Sequence, residues 1–163
     1  MLMPAQLLIN IMIALLWTLL MDEDAFYLST FIGGYLIGIG ILFMMHRFFG
    51  AKFYLLRVYS TIRLLFIFIS ELAQSSLLII KQILSPKLNI KPGIFTYEHS
   101  MEGAYELTTL ALLLTLTPGS VVMEVSPDGK VFYIHAMDVE ESRDTVLRSI
   151  KTFEKAIMEV TRG

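Results

Sequence analysis

The chain has no cysteine among its 163 residues. That excludes disulfides and thiolate metal sites. Positive charge is missing from the first part: before His46 the only charged side chains are Asp22, Glu23 and Asp24, and every Lys and Arg comes later. The net charge of -2 argues against nucleic acid as a partner. No GxSxG, P-loop, HExxH or Gly-rich dinucleotide fingerprint occurs, and Ser and Thr lack a nearby base in sequence. The sequence offers no catalytic residues, no cofactor motif and no metal site, which argues against an enzyme.

What is present is apolar. The chain is 55% hydrophobic with mean hydropathy +0.66, more than an ordinary soluble domain carries. Met3 to Leu20 has no charge and is mostly Leu, Ile and Met. It is close to the roughly 20 apolar residues that cross a bilayer. A cleaved signal peptide fits less well, because a basic n-region is missing and Met21-Asp22-Glu23-Asp24 is a poor cleavage site. Ala25 to Met45 is a second uncharged stretch, containing Gly33, Gly34, Gly38 and Gly40. Gly34 and Gly38 form a small-xxx-small pair, which lets another helix approach closely. His46 to Tyr54 mixes basic and aromatic residues, as at a cytoplasmic interface. Lys and Arg set orientation, so the N-terminus is expected inside, Asp22 to Asp24 outside, and Arg47 and Lys52 inside.

Leu55 to Leu84 is apolar but interrupted by Arg57, Arg63, Glu71, Gln74 and Lys81. Its longest uncharged runs, Leu64 to Ser70 and Leu72 to Ile80, are each too short to span alone. Arg57, Ser60, Thr61, Glu71, Gln74, Ser75 and Gln82 fall roughly on one helical face, with Leu65, Phe66, Ile69, Leu72, Ile80 and Ile83 on the other. The pattern favours an amphipathic or tilted helix at the interface over a third crossing.

Beyond Ser85-Pro86-Lys87 the chain reads as soluble. Ile94 to Glu98 reads as a strand, Glu102 to Leu116 as a helix stopped by Pro118-Gly119, and Ser120 to Ser126 as a strand. Pro127-Asp128-Gly129-Lys130 is a turn leading into the strand Val131 to Ala136. Glu140 to Val160 is an amphipathic helix with Val146, Leu147, Ile150, Phe153, Ile157 and Val160 on its apolar side. The predicted fold is a membrane protein, α with a small α+β domain. Residues 1–50 form a transmembrane helical hairpin, 51–85 a membrane-associated helix, and 86–163 a cytoplasmic β-α-β-β-α domain.

Ionisable residues in membrane segments are functional candidates. Glu71 is the foremost, as an intramembrane or interfacial ion pair, with a proton relay as the sharper and rarer alternative. His46 beside Arg47 reads as an interfacial anchor rather than a proton sensor. His99 and His135, with Glu98 or Asp138, match no standard metal-ligand spacing.

The runs Ser85-Pro86-Lys87-Leu88-Asn89-Ile90-Lys91-Pro92-Gly93-Ile94-Phe95, Leu114-Thr115-Leu116-Thr117-Pro118-Gly119 and Tyr133-Ile134-His135-Ala136-Met137-Asp138 occur in order with Trp17 and Phe68-Ile69-Ser70-Glu71-Leu72. With them the chain resembles the E-type subunit of the Mrp-type multisubunit sodium/proton antiporters over nearly its whole length. Ser120 stands where the family pattern has threonine. The resemblance implies a cell-membrane complex exchanging sodium for protons, whose large subunits carry the ion paths. It implies an accessory role in assembly and activity, with other membrane subunits and the bilayer as partners. It makes Pro118, Gly119, His135 and Asp138 motif scaffold residues. Related modules occur in membrane-bound hydrogenases, which supply an alternative host complex. The alternative without the resemblance is a stand-alone membrane-anchored binding or regulatory module.

Overall fold

A computed structural model describes residues 3–21, 26–45, 53–86 and 90–162. The acidic break at Asp22 to Asp24, the basic interface at His46, Arg47 and Lys52, and Lys87, Leu88 and Asn89 of the family run lie outside the described residues. The chain divides into two compact units, Met1–Tyr59 and Ser60–Gly163.

The first unit holds α1 (Met3–Leu20), α2 (Leu28–Met45) and the start of α3. At 1.5 Å per residue, the first two helices are each about 27 Å long, close to the thickness of a bilayer's hydrocarbon core. α1 is apolar outside and polar inside. Gln6, Asn10 and Ala14, spaced four apart, are buried, while Leu8, Met12, Leu16 and Leu19 are exposed. That inverts the usual pattern of a helix on a soluble domain.

The facing side of α2 is made by Gly34 and Gly38, both buried. A Cβ on Gly34 would stand 2.6 Å from Trp17 Cβ and 3.1 Å from Ala14 Cα, and one on Gly38 would stand 1.9 Å from Asn10 Oδ1. As α2 advances from Gly34 to Gly38, its neighbours on α1 recede from Trp17 to Asn10, so the two helices run antiparallel. Gly33 and Gly40 face open space.

α3 (Tyr54–Ile83) is one helix of 30 residues. By length and composition, α2 and α3 are sufficient to cross a membrane, whereas α1 counted from Pro4 is a shorter apolar helix. The short apolar runs of α3 pointed away from that outcome. Charges interrupt a run without interrupting a helix: between Arg63 and Lys81 the only charged side chain is Glu71.

In the second unit β1 (Gly93–Glu98), α4 (Ala104–Leu116), β2 (Ser120–Val125), β3 (Val131–Ala136) and α5 (Val139–Thr161) follow α3. The three strands form an antiparallel sheet in the order β1-β3-β2. A register shift between Val122 and Glu124 leaves Met123 as the extra residue of a bulge on the edge strand β2. β3 alternates as a half-buried strand should: Phe132, Ile134 and Ala136 are fully buried, and Tyr133 points out. Onto that buried face pack Leu110 and Leu114 of α4 and Ile150, Phe153 and Ile157 of α5. Leu64, Ile67 and Phe68 of α3 lie against the same core. The opposite side of α3, with Leu65, Phe66, Ile69, Leu77 and Ile80, is exposed.

Two buried acids tie the helices to the loop after β1. Glu106 accepts hydrogen bonds from Arg162 Nη2 at 2.6 Å, from the Glu102 amide at 3.0 Å and from the Thr161 hydroxyl. The Arg162 guanidinium, aided by Thr161 and opposed by burial, holds the Glu106 carboxyl at about 2. Glu154 accepts from the Ser100 amide at 3.0 Å and from Tyr97 Oη at 3.0 Å. Burial first, and then this carboxylate, push the Tyr97 phenol up to about 12. Both acids are 6% exposed, so each must be satisfied from within the chain.

Two stability measurements follow, both on the full chain in detergent. Gly34→Ala should lower stability by about 1–3 kcal/mol, because the atoms it meets belong to a backbone and a Cβ that cannot swing away. Gly33→Ala, set in open space, should be neutral or stabilising by up to about 1 kcal/mol. Equal effects at the two positions in thermal unfolding would contradict the packing. For Glu106, the folded-state value lies below the ordinary 4.5, so its contribution is complete above about pH 4.5 and is lost as pH falls toward about 2. Glu106→Gln should cost about 2 kcal/mol near neutral pH. It should also flatten the loss of melting temperature across that acid window, and an unchanged acid limb would refute the assignment.

Candidate functional site

Besides the Glu106 and Glu154 networks, polar groups gather around Tyr54 in the first unit and around Glu71 in the second. In the first, the Tyr54 amide donates to Gln6 Oε1 at 2.9 Å, and Asn10 Nδ2 donates to Tyr54 Oη at 2.8 Å. Tyr35 Oη lies 3.2 Å from the same phenol oxygen. The amide of Tyr54 has no intrahelical acceptor because it opens α3, so a side chain must take it. Phe53 and Leu42 cover the cluster on the apolar side. Asn10 Oδ1 is buried without a hydrogen-bond partner among the described residues. Sequence reasoning missed Gln6 and Asn10, having read Met3 to Leu20 only as uncharged. The available signal was two amides and an alanine at fourfold spacing in an otherwise apolar helix.

In the second unit, a cavity of about 90 Å³ lies between the later half of α3, the turn from α4 into β2, and the first half of α5. That volume holds a few waters or one slender side chain, well short of the roughly 300 Å³ at which small-molecule pockets begin. Glu71 lines it, and the Ser149 hydroxyl donates to Glu71 Oε2. No Lys or Arg pairs with Glu71 among the described residues. Gln82 also lines the cavity, and its Oε1 is buried without a hydrogen-bond partner among the described residues.

The residues expected to matter are scattered. Pro118 and Gly119 join Glu71 at the cavity. Gly119 has φ +103, a conformation that L side chains rarely adopt, and its carbonyl accepts from the Met137 amide at 2.9 Å. Buried Thr117 ends α4 by donating its hydroxyl to the Leu114 carbonyl at 2.7 Å. Asp138, 3% exposed, caps α5: its Oδ1 accepts from the Glu140 amide at 3.1 Å. Gly34 and Gly38 are in the hairpin.

The two histidines of the C-terminal unit are kept apart. His135 is half-buried in β3 opposite Ile94, whereas the His99 amide bonds to the Lys130 carbonyl beyond the other end of that strand. Five strand residues separate the two levels, roughly 17 Å. The His99 ring lies 4.6 Å from that of Phe132 and accepts from the Met101 amide at 3.3 Å through Nδ1. Burial pushes its titration down. Among the described residues, no three His, Asp or Glu side chains gather as a metal site.

Comparison with known proteins bears on the whole chain. A family described as Na+/H+ ion antiporter subunit, MNHE, matches residues 10–160. The E-type Na(+)/H(+) antiporter subunit of Bacillus subtilis is 44% identical over 160 residues, covering 98% of this chain and 100% of its own. A Staphylococcus epidermidis chain named as a putative antiporter subunit, mnhE2, is 41% identical over 158 residues, covering 96% of this chain and 99% of its own. A chain of the membrane-bound sulfane sulfur reductase, an archaeal respiratory membrane complex, shares the fold with TM-score 0.52 and 23% identity, covering 93% of this chain and 96% of that one. With matches of this extent and identity, the chain belongs to the MNHE family of Na+/H+ ion antiporter subunits.

Proposed function

We propose that the chain is an accessory subunit of a multisubunit cation/proton antiporter in the cell membrane, with sodium as the exchanged cation. It supports assembly and activity, carries out no catalysis and forms no main ion path. The observation that carries this reading is the full-length identity with the Bacillus subtilis antiporter subunit. The ion is taken from the names of the relatives. The scaffold role is supported by Gln6, Asn10 and Tyr35, which all bond to Tyr54 at the start of α3 rather than line a continuous route.

In this reading α1 and α2 cross the bilayer as a hairpin within residues 1–50, α3 within 51–85 is an interfacial helix, and residues 86–163 form a cytoplasmic domain. The strongest support is the neighbour of α3. Ser149 bonds Glu71, and Glu159 pairs with Arg63, so α5 runs antiparallel beside this part of α3. α5 exposes Arg148, Lys151 and Lys155. A crossing at this level would carry those charges into hydrocarbon at about 2.5–3.5 kcal/mol each at the centre. An interfacial helix instead turns Leu65, Phe66, Ile69 and Ile80 to lipid or to other subunits and keeps α5 in water.

The tagged chain, extracted in mild detergent, should bring down other antiporter subunits in fixed stoichiometry. Recovery of the chain alone would defeat the proposal, and recovery with a redox-enzyme module would move it to a respiratory complex. Topology is tested in the naturally cysteine-free chain. A cysteine at Asp128 or Lys151 should stay unlabelled by an impermeant thiol reagent in intact cells and react after lysis. Labelling in intact cells would mean a third crossing.

A further inference from the structure

We propose that the cavity beside α3 receives a lysine side chain from another subunit of the assembled complex, which pairs with Glu71. This rests on the multisubunit reading above. Among the described residues, Glu71 is the only charged side chain lining the cavity, and no Lys or Arg pairs with it. It falls in the middle of Leu64 to Ile80, a stretch with no other charge. The outer side of that stretch is apolar and exposed. A carboxylate in such surroundings is costly without a counter-charge, and a single hydroxyl from Ser149 supplies none.

The shape and lining of the space select the cation. Leu78 and Val146 give it apolar walls, and Ser142 and Thr145 give it hydroxyls. A methylene stem fits the former, and an ammonium can donate to the latter as well as to the carboxylate. Arginine fits less well. Its broad planar guanidinium needs more room in a cavity of about 90 Å³ than the slim ammonium end of lysine. A bare divalent cation would ask for six or more oxygen ligands, which these partly apolar walls do not offer.

The test is carbodiimide cross-linking of the detergent-purified complex, which joins a carboxylate to an amine in direct contact, followed by mass spectrometry of the peptides. The exposed pair of Lys91 Nζ and Glu140 Oε2, 2.6 Å apart within this chain, is an internal positive control. The expected product is a Glu71 peptide joined to a lysine of a different subunit. Glu71 left unlinked while Lys91 and Glu140 are linked would overturn the proposal. So would Glu71 joined to a lysine of its own chain or to a lipid amine.

Ser142→Trp provides an independent readout, because it fills the cavity and leaves the carboxylate in place. It should reduce recovery of the other subunits by about tenfold or more while the chain's own melting temperature holds. Undiminished recovery would overturn the proposal. A wild-type chain that purifies alone defeats the multisubunit reading itself, whereas an intact complex without the cross-link defeats only this inference.

Discussion

The Tyr54 amide donates to Gln6 and its phenol oxygen accepts from Asn10, on the enclosed side of helices whose outer surfaces are apolar. A polar group enclosed without a partner costs several kcal/mol, so these bonds sit where the helices pack together. The close approach of the helices follows from the same arrangement. Asn10 reaches Tyr54 across a hairpin in which Gly38 leaves room for the asparagine and Gly34 leaves room for Trp17 and Ala14. Polar satisfaction and small-residue packing are therefore one device in the first unit.

The second unit is built around an ordinary enclosed apolar core. A three-stranded sheet buries Phe132, Ile134 and Ala136 under two helices, and its buried acids are hydrogen-bonded. α3 has an enclosed apolar side and an exposed one. Its inner side adds Leu64, Ile67 and Phe68 to a soluble-type core, while its outer side exposes a row of large apolar residues that no described element of this unit covers. Glu71 lies on the inner side, lining the cavity.

These features fit a subunit whose contribution is shape and adhesion. Gln6, Asn10 and Tyr35 bond to Tyr54 at the start of α3, and the motif Thr117-Pro118-Gly119 serves local geometry. Thr117 closes the end of α4, and Gly119 adopts a positive φ so that its carbonyl can meet the Met137 amide. Asp138 likewise serves as the cap of α5.

Much was legible in the sequence for identifiable reasons. The alternation of Val131 to Ala136, the turn residues Pro127 and Gly129, and the spacing of Ile150, Phe153 and Ile157 are periodic signals set by local backbone geometry. They determined the element order of the second unit, and the ordered motifs determined the family. Gln6, Asn10, Glu106 and Glu154 were not legible as buried, because a polar residue's burial depends on partners distant in sequence: Tyr54 for the first two, Arg162 for Glu106, and Tyr97 with Ser100 for Glu154. Which side of α3 faces inward was equally hidden, since both sides carry apolar residues and only the packing of α5 against Glu71 and Arg63 chooses between them. Composition and spacing determined the elements and their kinship; only tertiary contact decided which polar groups are enclosed, because enclosure is a property of neighbours and not of residues.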